Sequence, residues 1–469
     1  MPSELGDYQQ RGKEQSEDAL YFKRQYDKFI TDWRKFDLSS CWTRPEDYIK
    51  DAYKTANSLR ETAEAAIRSN PSLIAYTPTN SVADYSMGES VATNFRRLKP
   101  ELIGSVLLAN SSLRWCLSTE PQSIYSGDRI KLRVSFSNLD ILQPGKYPAT
   151  IQVVGPDMKP VFDKRVLVNI PQIINGEEPP FAHVVMTEDI YVKGAAGSYQ
   201  FLATLDKGGT AIGGKTEFYV TDPNALPKMP HEIVLCGIDT VVSKWLQEHN
   251  VKIHRFDHAN QSKRQLILIT GKAQDSITML SIVRQMAGGS VALFLSPSTL
   301  KSGENTTRWL PLANKGVIES MDAVAGYYRA DRWAKSHPIF DGMPSGGMIN
   351  YKYFRNIISQ NALSQEYSIR GKGPHTFDEA NSSLTYPLET VCGATRISHT
   401  YCSGIHIGIW NFGQGQFIVN TLLIGENLGK DPAADRLFCN MLNFASQGMN
   451  KPMTKLPENF DQQLIEIGY

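Results

Sequence analysis

Four groups of residues have types and spacings suited to chemistry. The first is Glu4, in Ser3-Glu4-Leu5-Gly6, a carboxylate that reads as lying at the end of a buried strand. The second is the set of six cysteines at 41, 116, 236, 392, 402 and 439. One recognisable setting for a thiolate nucleophile is a sharp strand-to-helix elbow, G-x-C-x-G, which exposes the sulfur over an oxyanion hole. No cysteine has that setting: Cys236 lies in Leu235-Cys236-Gly237, Cys392 in Val391-Cys392-Gly393 and Cys402 in Tyr401-Cys402-Ser403. None forms a C-x-x-C pair, and they are too sparse for a disulfide framework, so they read as mostly buried thiols. The third group is His254, Asp257 and His258, whose i, i+4 imidazoles have a metal-ligand spacing. They follow a predicted strand into a polar loop, and a metal site is not expected. The fourth is Ser336-His337-Pro338-Ile339-Phe340-Asp341-Gly342, where His337 reads as the structural imidazole of a fixed turn. No G-x-S-x-G elbow and no P-loop occurs, and Gly288-Gly289 is too short for a dinucleotide fingerprint.

Three kinds of pattern must position these residues. Residues 1–105 read as a short opening strand, two helices, a second short apolar run over 69–76 and a polar loop over 77–99. Leu20, Phe22, Tyr26, Phe29, Ile30, Trp33 and Phe36 recur at helical spacing, as do Ile49, Ala52, Ala56, Leu59, Ala63 and Ile67. The second helix should open at Pro45, with Glu46 and Asp47 meeting the positive end of its dipole, and stop before Asn70-Pro71. Strand, helices, strand and polar loop is the grammar of the last units of a (β/α)₈ barrel, whose chemistry lies at the carboxyl ends of its strands. The expectation is therefore a partial barrel, its last quarter, with the aromatic stripe facing barrel strands.

Over 106–222 the period changes. Seven segments (113–118, 129–137, 147–154, 160–169, 183–192, 198–206 and 215–221) have β-branched or alternating character and are separated by turn signals such as Ser126-Gly127-Asp128 and Gln143-Pro144-Gly145. Ile130, Leu132, Val134 and Phe136 alternate with Lys131, Arg133 and Ser135, so one face is inside. Seven such strands predict an immunoglobulin-like β-sandwich, and the lack of a Cys pair bracketing a Trp excludes the antibody type. Residues 223–230 hold three prolines and read as a stiff linker. Residues 231–448 alternate apolar strands (233–236, 251–256, 266–270, 291–295) with helices (241–248, 276–286). A hairpin through Asn411-Phe412-Gly413-Gln414-Gly415 and a helix over about 432–445 follow, with Leu437, Met441 and Leu442 inward. That pattern predicts an open parallel sheet covered on both faces. Residues 449–469 read as a tail.

Two stretches resemble known families. Ser3-Glu4-Leu5-Gly6, Ala66-Ile67-Arg68-Ser69-Asn70-Pro71, Asp84-Tyr85, Gly88-Glu89, Phe95-Arg96 and Lys99-Pro100 together resemble the end of the catalytic barrel of glycoside hydrolase family 2, the β-galactosidases, β-glucuronidases and β-mannosidases, with Leu5 where that family usually carries an aromatic. The resemblance implies that Glu4 is the nucleophile of a retaining double displacement and that Asp84 and Glu89 lie on a loop that contacts the sugar. Retaining hydrolysis needs two carboxylates about 5–5.5 Å apart; the family's proton donor lies on an earlier strand, so this chain alone is expected to hydrolyse nothing. Gly415-Gln416-Phe417-Ile418-Val419-Asn420 through Glu426-Asn427-Leu428-Gly429 to Asp431-Pro432-Ala433-Ala434-Asp435-Arg436-Leu437 resembles the close of the class I glutamine amidotransferase-like domains, flavodoxin-like in layout, that are appended to such enzymes. The missing elbow implies a fold kept without its chemistry.

Composition narrows the partners. Hydrophobic residues at 41% and charged residues at 21% are ordinary for a globular protein. Lys plus Arg at 49 against Asp plus Glu at 48 gives a net charge of +1, which offers nothing to nucleic acid or an anionic membrane. No apolar run approaches the ~20 residues of a bilayer span. The pattern predicts a multidomain α/β plus β protein, and the family resemblance implies the carboxyl-terminal portion of a β-glycosidase, with no cofactor and a glycan as substrate of the intact enzyme. A homo-oligomer is compatible with it, and the compartment is left open. Two other readings stand beside this one: a non-catalytic interaction or oligomerisation module of a carbohydrate-active protein, and an amidotransferase-like hydrolase using Cys or Ser.

Overall fold

The structure is a computed structural model that describes residues 2–73, 75–76, 90–172, 180–207, 211–258, 263–322, 329–365, 383–397, 401–447, 449 and 451–469, with side chains from residue 5 onward. The fold is mixed, α/β with additional β-sheet. No described helix is long and apolar enough to cross a membrane.

The expected opening strand is a helix, α1 (Pro2–Gln10). A lone strand would leave its N–H and C=O groups without partners, and no strand among the described residues pairs with this segment; a helix satisfies the same groups internally. Pro2 costs nothing in its first turn. Asp7 and Tyr8 of α1 are buried. Arg97 Nε donates to Asp7 Oδ1 at 2.7 Å, Asn94 donates to the Tyr8 hydroxyl at 3.1 Å, and the Tyr8 and Phe95 rings meet edge to face at 4.9 Å.

The next two helices form where the sequence places them. In α2 (Glu17–Lys35), Ser16 caps the Ala19 N–H, acids fill the first turn and bases the last. In α3 (Pro45–Arg68), Pro45 opens the helix with Glu46 and Asp47 behind it, and Asn70-Pro71 lies just beyond its end. The run over 69–76 forms no strand among its described residues. It is half polar and has no sheet beside it to complete its hydrogen bonds. A further short helix, α4 (Pro100–Ala109), packs on α3, where Asn57 Oδ1 accepts from the Ser105 N–H at 2.8 Å.

Eight strands follow: β1 (Leu113–Glu120), β2 (Ser123–Tyr125), β3 (Arg129–Asn138), β4 (Gly145–Val154), β5 (Pro160–Ile170), β6 (Ala182–Tyr191), β7 (Gly197–Leu205) and β8 (Lys215–Thr221). They form a three-stranded sheet, β1-β3-β6, and a five-stranded sheet, β2-β8-β7-β4-β5. Both sheets bury side chains in one shared core: Ile130, Leu132, Val134 and Phe136 of β3 meet Ile151 and Val153 of β4 and Phe201 of β7. The alternation read along β3 is therefore the alternation between core and solvent.

The remaining strands build one eleven-stranded sheet. Its parallel half holds β9 (Glu232–Cys236), β10 (Lys252–Arg255), β11 (Leu266–Ile269) and β12 (Val291–Phe294), joined by α5 (Thr240–Glu248) and α6 (Ser276–Ala287). The expected all-parallel sheet stops there. The other strands are β13 (Val317–Ser320), β14 (Asp331–Ala334), β15 (Gly347–Met348), β16 (Asn361–Ser364), β17 (Glu389–Arg396), β18 (Cys402–Phe412) and β19 (Gly415–Asn420). Of these, β19 lies parallel to β12, and from β18 onward every pairing is antiparallel. The chain closes with α7 (Ile424–Asn427), α8 (Pro432–Ala445) and α9 (Phe460–Glu466).

Both faces of this sheet are covered. Ile233, Leu235, Leu293, Ile407 and Ile418 point to a core shared with Trp245 of α5 and with Leu437, Met441 and Leu442 of α8. Val234, Ile267, Phe294, Phe417 and Val419 point to a core shared with α6, with Phe460 of α9, and with Phe29, Trp33 and Phe36 of α2 and Tyr48, Ile49 and Ala52 of α3. The aromatic stripe is core, as expected, but its partner is this sheet: Phe36 lies 5.7 Å from Trp333 of β14.

Polar contacts fix the layers. Asp32, buried on the inner face of α2, accepts from Tyr386 at 3.2 Å, Tyr401 at 2.8 Å and Ser403 at 2.6 Å. Arg68 at the end of α3 donates to the Ala109 and Ser111 carbonyls and to Ser137 Oγ of β3. The sandwich meets the large sheet through Tyr125, which donates to Asp435 of α8 at 2.7 Å, and through Tyr219, which accepts from Asn350 at 2.6 Å. Leu226 and Met229 of the proline-rich segment pack on the core under α8, while Arg436 holds the Ala225 carbonyl.

Asp32→Ala should strand three buried or half-buried hydroxyls and lower stability by about 3 kcal/mol, with Asp32→Asn intermediate. Chemical denaturation checks this, and an unchanged midpoint in Asp32→Ala would show that α2 is not anchored by this carboxylate.

Candidate functional site

The carboxyl edge of the parallel strands is where an open α/β sheet offers a ligand site, at the point where strand order reverses. Here the order β10-β9-β11-β12 places that point between β9 and β11. The crevice is filled by the chain itself. Gly237, just past β9, has φ +104°, and a Cβ there would collide with the Thr270 carbonyl. Gly271, just past β11, has φ +71°, and its Cβ would sit 2.6 Å from the Ile238 carbonyl. Only glycine accepts both the positive φ and the approach, so the two loops lie against each other. The Thr270 N–H donates to the Cys236 carbonyl at 2.9 Å, and Ser298 Oγ from the third loop donates to the Gly271 carbonyl at 2.6 Å.

Helix N-termini at such an edge usually receive anions. Both are already occupied. Asp239 Oδ1 accepts from the N–H groups of Val241 and Val242 at 3.1 Å. Asp275 Oδ1 accepts from Ile277 and Thr278, both at 3.0 Å. Hydrogen bonds from Thr278 hold the Asp275 carboxyl below the ordinary range. Two fixed carboxylates repel phosphate where the dipoles would attract it.

The elbow position bears no nucleophile. After β12 the chain continues extended through Ser296 into a short 3₁₀ turn at Pro297–Thr299, and Ser296 Oγ is paired with Ser298 Oγ at 2.7 Å. Burial pushes the Cys236 and Cys439 thiols up to about 12 and the Cys116 and Cys402 thiols up to about 11. It raises Cys392 further still and Cys41 more modestly. These thiols are protonated at neutral pH, the opposite of an activated nucleophile.

The histidines sit in three different settings. His254 pairs with exposed Glu232 at 3.2 Å, and no group of three His, Cys, Asp or Glu suited to a metal occurs among the described residues. His337 Nδ1 accepts from the Ile339 N–H at 3.1 Å, which places its proton on Nε2, 3.5 Å from Glu389. Burial lowers its pKa against the pull of Glu389, so it braces the turn as a neutral imidazole. His406, missed in the sequence, is wholly buried against Thr421 Oγ1 at 2.7 Å and depressed to about 3 by that burial.

Glu4 lies on helix α1 and not at the end of a strand, and α1 meets Asn94, Phe95 and Arg97 through Asp7 and Tyr8. Asp84 and Glu89 lie outside the described residues. The Asp7–Arg97 and Tyr8–Asn94 contacts bring the element carrying Glu4 to the segment that follows Glu89. Asp32 was not singled out beforehand, although an acid between Phe29 and Trp33 on an aromatic stripe is a usable signal of a buried anchor.

No family model matches the chain, and no curated protein matches it in sequence. Partial structural neighbours include glycoside hydrolases. One is a β-glucuronidase of Parabacteroides merdae, at 13% identity and TM-score 0.17, with 38% of this chain and 27% of that one covered. Another is a glycosyl hydrolase family 2 member from Bacteroides cellulosilyticus, at 9% identity and TM-score 0.17, with 39% and 26% covered. A cytoplasmic protein of Salmonella typhimurium overlaps over its whole length and 48% of this chain, at 11% identity and TM-score 0.28. The chain spans about a quarter of the length of those two glycoside hydrolases. Overlaps this partial and this loose carry no argument about the fold or its use.

If no thiol is activated, iodoacetamide at pH about 6 should leave all six cysteines unmodified in the folded protein, and at pH about 8.5 half-buried Cys41 should react first. Peptide mass mapping reads the outcome; a cysteine alkylated at the lower pH would reinstate thiol catalysis.

Proposed function

We propose that this chain is the carboxyl-terminal part of a retaining β-glycosidase of the family 2 type, and that its two large folded parts are non-catalytic supports. The observation that carries the second half is the closed carboxyl edge: loops at Gly237 and Gly271 occupy the crevice, aspartates occupy both helix N-termini, and no elbow nucleophile stands above them. The sandwich corresponds to an immunoglobulin-like domain and the large sheet to an amidotransferase-like domain without its reaction. The first half rests on the motif resemblance at residues 3–6, 66–71, 84–89 and 95–100. In that reading Glu4 is the nucleophile of the intact enzyme and Asp84 and Glu89 are sugar contacts, with a glycan as substrate and no cofactor. The acid/base carboxylate comes from outside these residues.

A second reading, an oligomerisation module, draws on the apolar side chains at the closed edge. Ile238 is 86% exposed and Ile277 72%, and exposed branched side chains beside a packed edge suit a contact between copies.

Nitrophenyl β-galactoside, β-glucuronide and β-mannoside should not be turned over by this chain above the buffer rate. A longer protein that carries the barrel should turn over one of them and lose at least about 10³-fold in kcat on Glu4→Gln. Saturable turnover by the chain alone, or full activity in the Glu4→Gln enzyme, removes the proposal. Sedimentation of the same chain decides the second reading: a monomer at about 50 μM, well above the Kd of a stable interface, eliminates it.

A further inference from the structure

A cavity of ≈ 550 Å³ lies where the proline-rich segment, the turn after β14 and the end of α8 meet. That volume is within the ~300–1,000 Å³ of small-molecule sites, which favour domain junctions. Its walls are chemically divided. Phe340 and Met343 are buried beneath it. On one side Asn440, Asn443, Phe444 and Gln447 follow one another at i, i+3, i+4 and i+7, so a single stripe of α8 and the turn beyond it faces the space. On the other side stand Ser336, Asp341 and Ser345.

The bonding state of these groups selects a ligand. Asn440 is used up, donating to the Ile339 and Asp341 carbonyls at 3.1 and 3.0 Å. The side chains of Ser336, Asp341, Ser345, Asn443 and Gln447 make no hydrogen bond to other described residues. They therefore offer amide donors, amide and carboxylate acceptors, and hydroxyls that serve as both. The Phe444 ring is held against His337 at a centroid distance of 4.9 Å, and His337 is itself fixed through Ile339 and Glu389. No Lys or Arg among the described residues lines the space itself: Arg436 lies behind Gly342 with its guanidinium on the Asp341 and Ala225 carbonyls, and Lys335 is turned to Asp37 at 3.4 Å.

We propose that this cavity binds a neutral polyhydroxylated ring, a mono- or disaccharide. Adjacent hydroxyls pair with the side-chain amides of Asn443 and Gln447 and with the Asp341 carboxylate, each of which bridges two neighbouring O–H groups. The C–H face of the ring lies on Phe444. The missing cation disfavours phosphates and sugar acids, whose charge Asp341 would repel. The inference stands on the cavity alone and is independent of the glycosidase reading.

Saturation-transfer NMR with calorimetry on the full chain tests it, using galactose, glucose, mannose and cellobiose as probes, with glucuronate and ethanolamine as the charged alternatives. At least one neutral sugar should bind saturably with a Kd in the range of about 0.1–10 mM, and Asn443→Ala/Gln447→Ala should weaken it about tenfold by removing two hydrogen-bonding partners. Asp341→Asn, at an exposed turn position, and Phe444→Leu, which keeps apolar volume but no ring, should each weaken it several-fold with the wild-type melting temperature retained. Absence of saturable binding up to about 100 mM, equal affinity in the double variant and in Asp341→Asn, or preference for glucuronate or ethanolamine each overturns the proposal.

Discussion

A sheet whose strands are apolar on both faces has to be covered twice, and most of this molecule follows from that demand. Ile233 and Leu235 look one way and Val234 and Cys236 the other. One face is closed by helices drawn from the same stretch of sequence. The second is closed partly by α2 and α3, more than two hundred residues before the strands of the antiparallel half. Burying aromatic surface supplies the bulk of that attraction, at roughly 25 cal/mol per Å². It does not by itself specify register, because apolar contact has no direction. Asp32 supplies the direction: one carboxylate beneath the stripe collects hydroxyls from Tyr386, Tyr401 and Ser403, and a shift of one helical turn would leave all of them without their acceptor.

Much of this was legible in the residues. The period-two alternation of Ile130 to Phe136 reports a face of a sheet wherever that sheet lies, and Pro45 followed by Glu46 and Asp47 marks a helix start by local chemistry alone. The same holds for the strand read at 291–295, which forms as 291–294, for the hairpin arm read at 415–424, which ends as a strand at 420, and for the helix 432–445. What was not legible depends on distant partners. Residues 2–10 find no strand to pair with among the described residues and turn helical. In β14, Arg332 breaks the apolar pattern; it is buried all the same because Asp322 meets it at 2.9 Å and the Ser359 carbonyl takes two of its nitrogens. β15 is two residues long, too short for any periodicity to show.

The functional residues show the same division. That the cysteines lack an elbow is a statement about their immediate neighbours, and their burial agrees with it. That the crevice between β9 and β11 is shut depends on Gly237 meeting the Thr270 carbonyl and Gly271 the Ile238 carbonyl across a gap of more than thirty residues, which no local motif reports. The cavity beside α8 is likewise assembled from a turn and a helix end about a hundred residues apart. Asn440, Asn443 and Gln447 match no motif in the sequence, and only the opposing turn brings them into one site.

The crossing between the sandwich and the large sheet carries one more consequence. Three prolines stiffen it, Arg436 grips the Ala225 and Asp341 carbonyls together, and Tyr125 and Tyr219 tie the sandwich to Asp435 and Asn350. Each of these contacts resists the same swing of the sandwich about the prolines, so a partner that bridges both parts would meet them in the one arrangement the contacts favour.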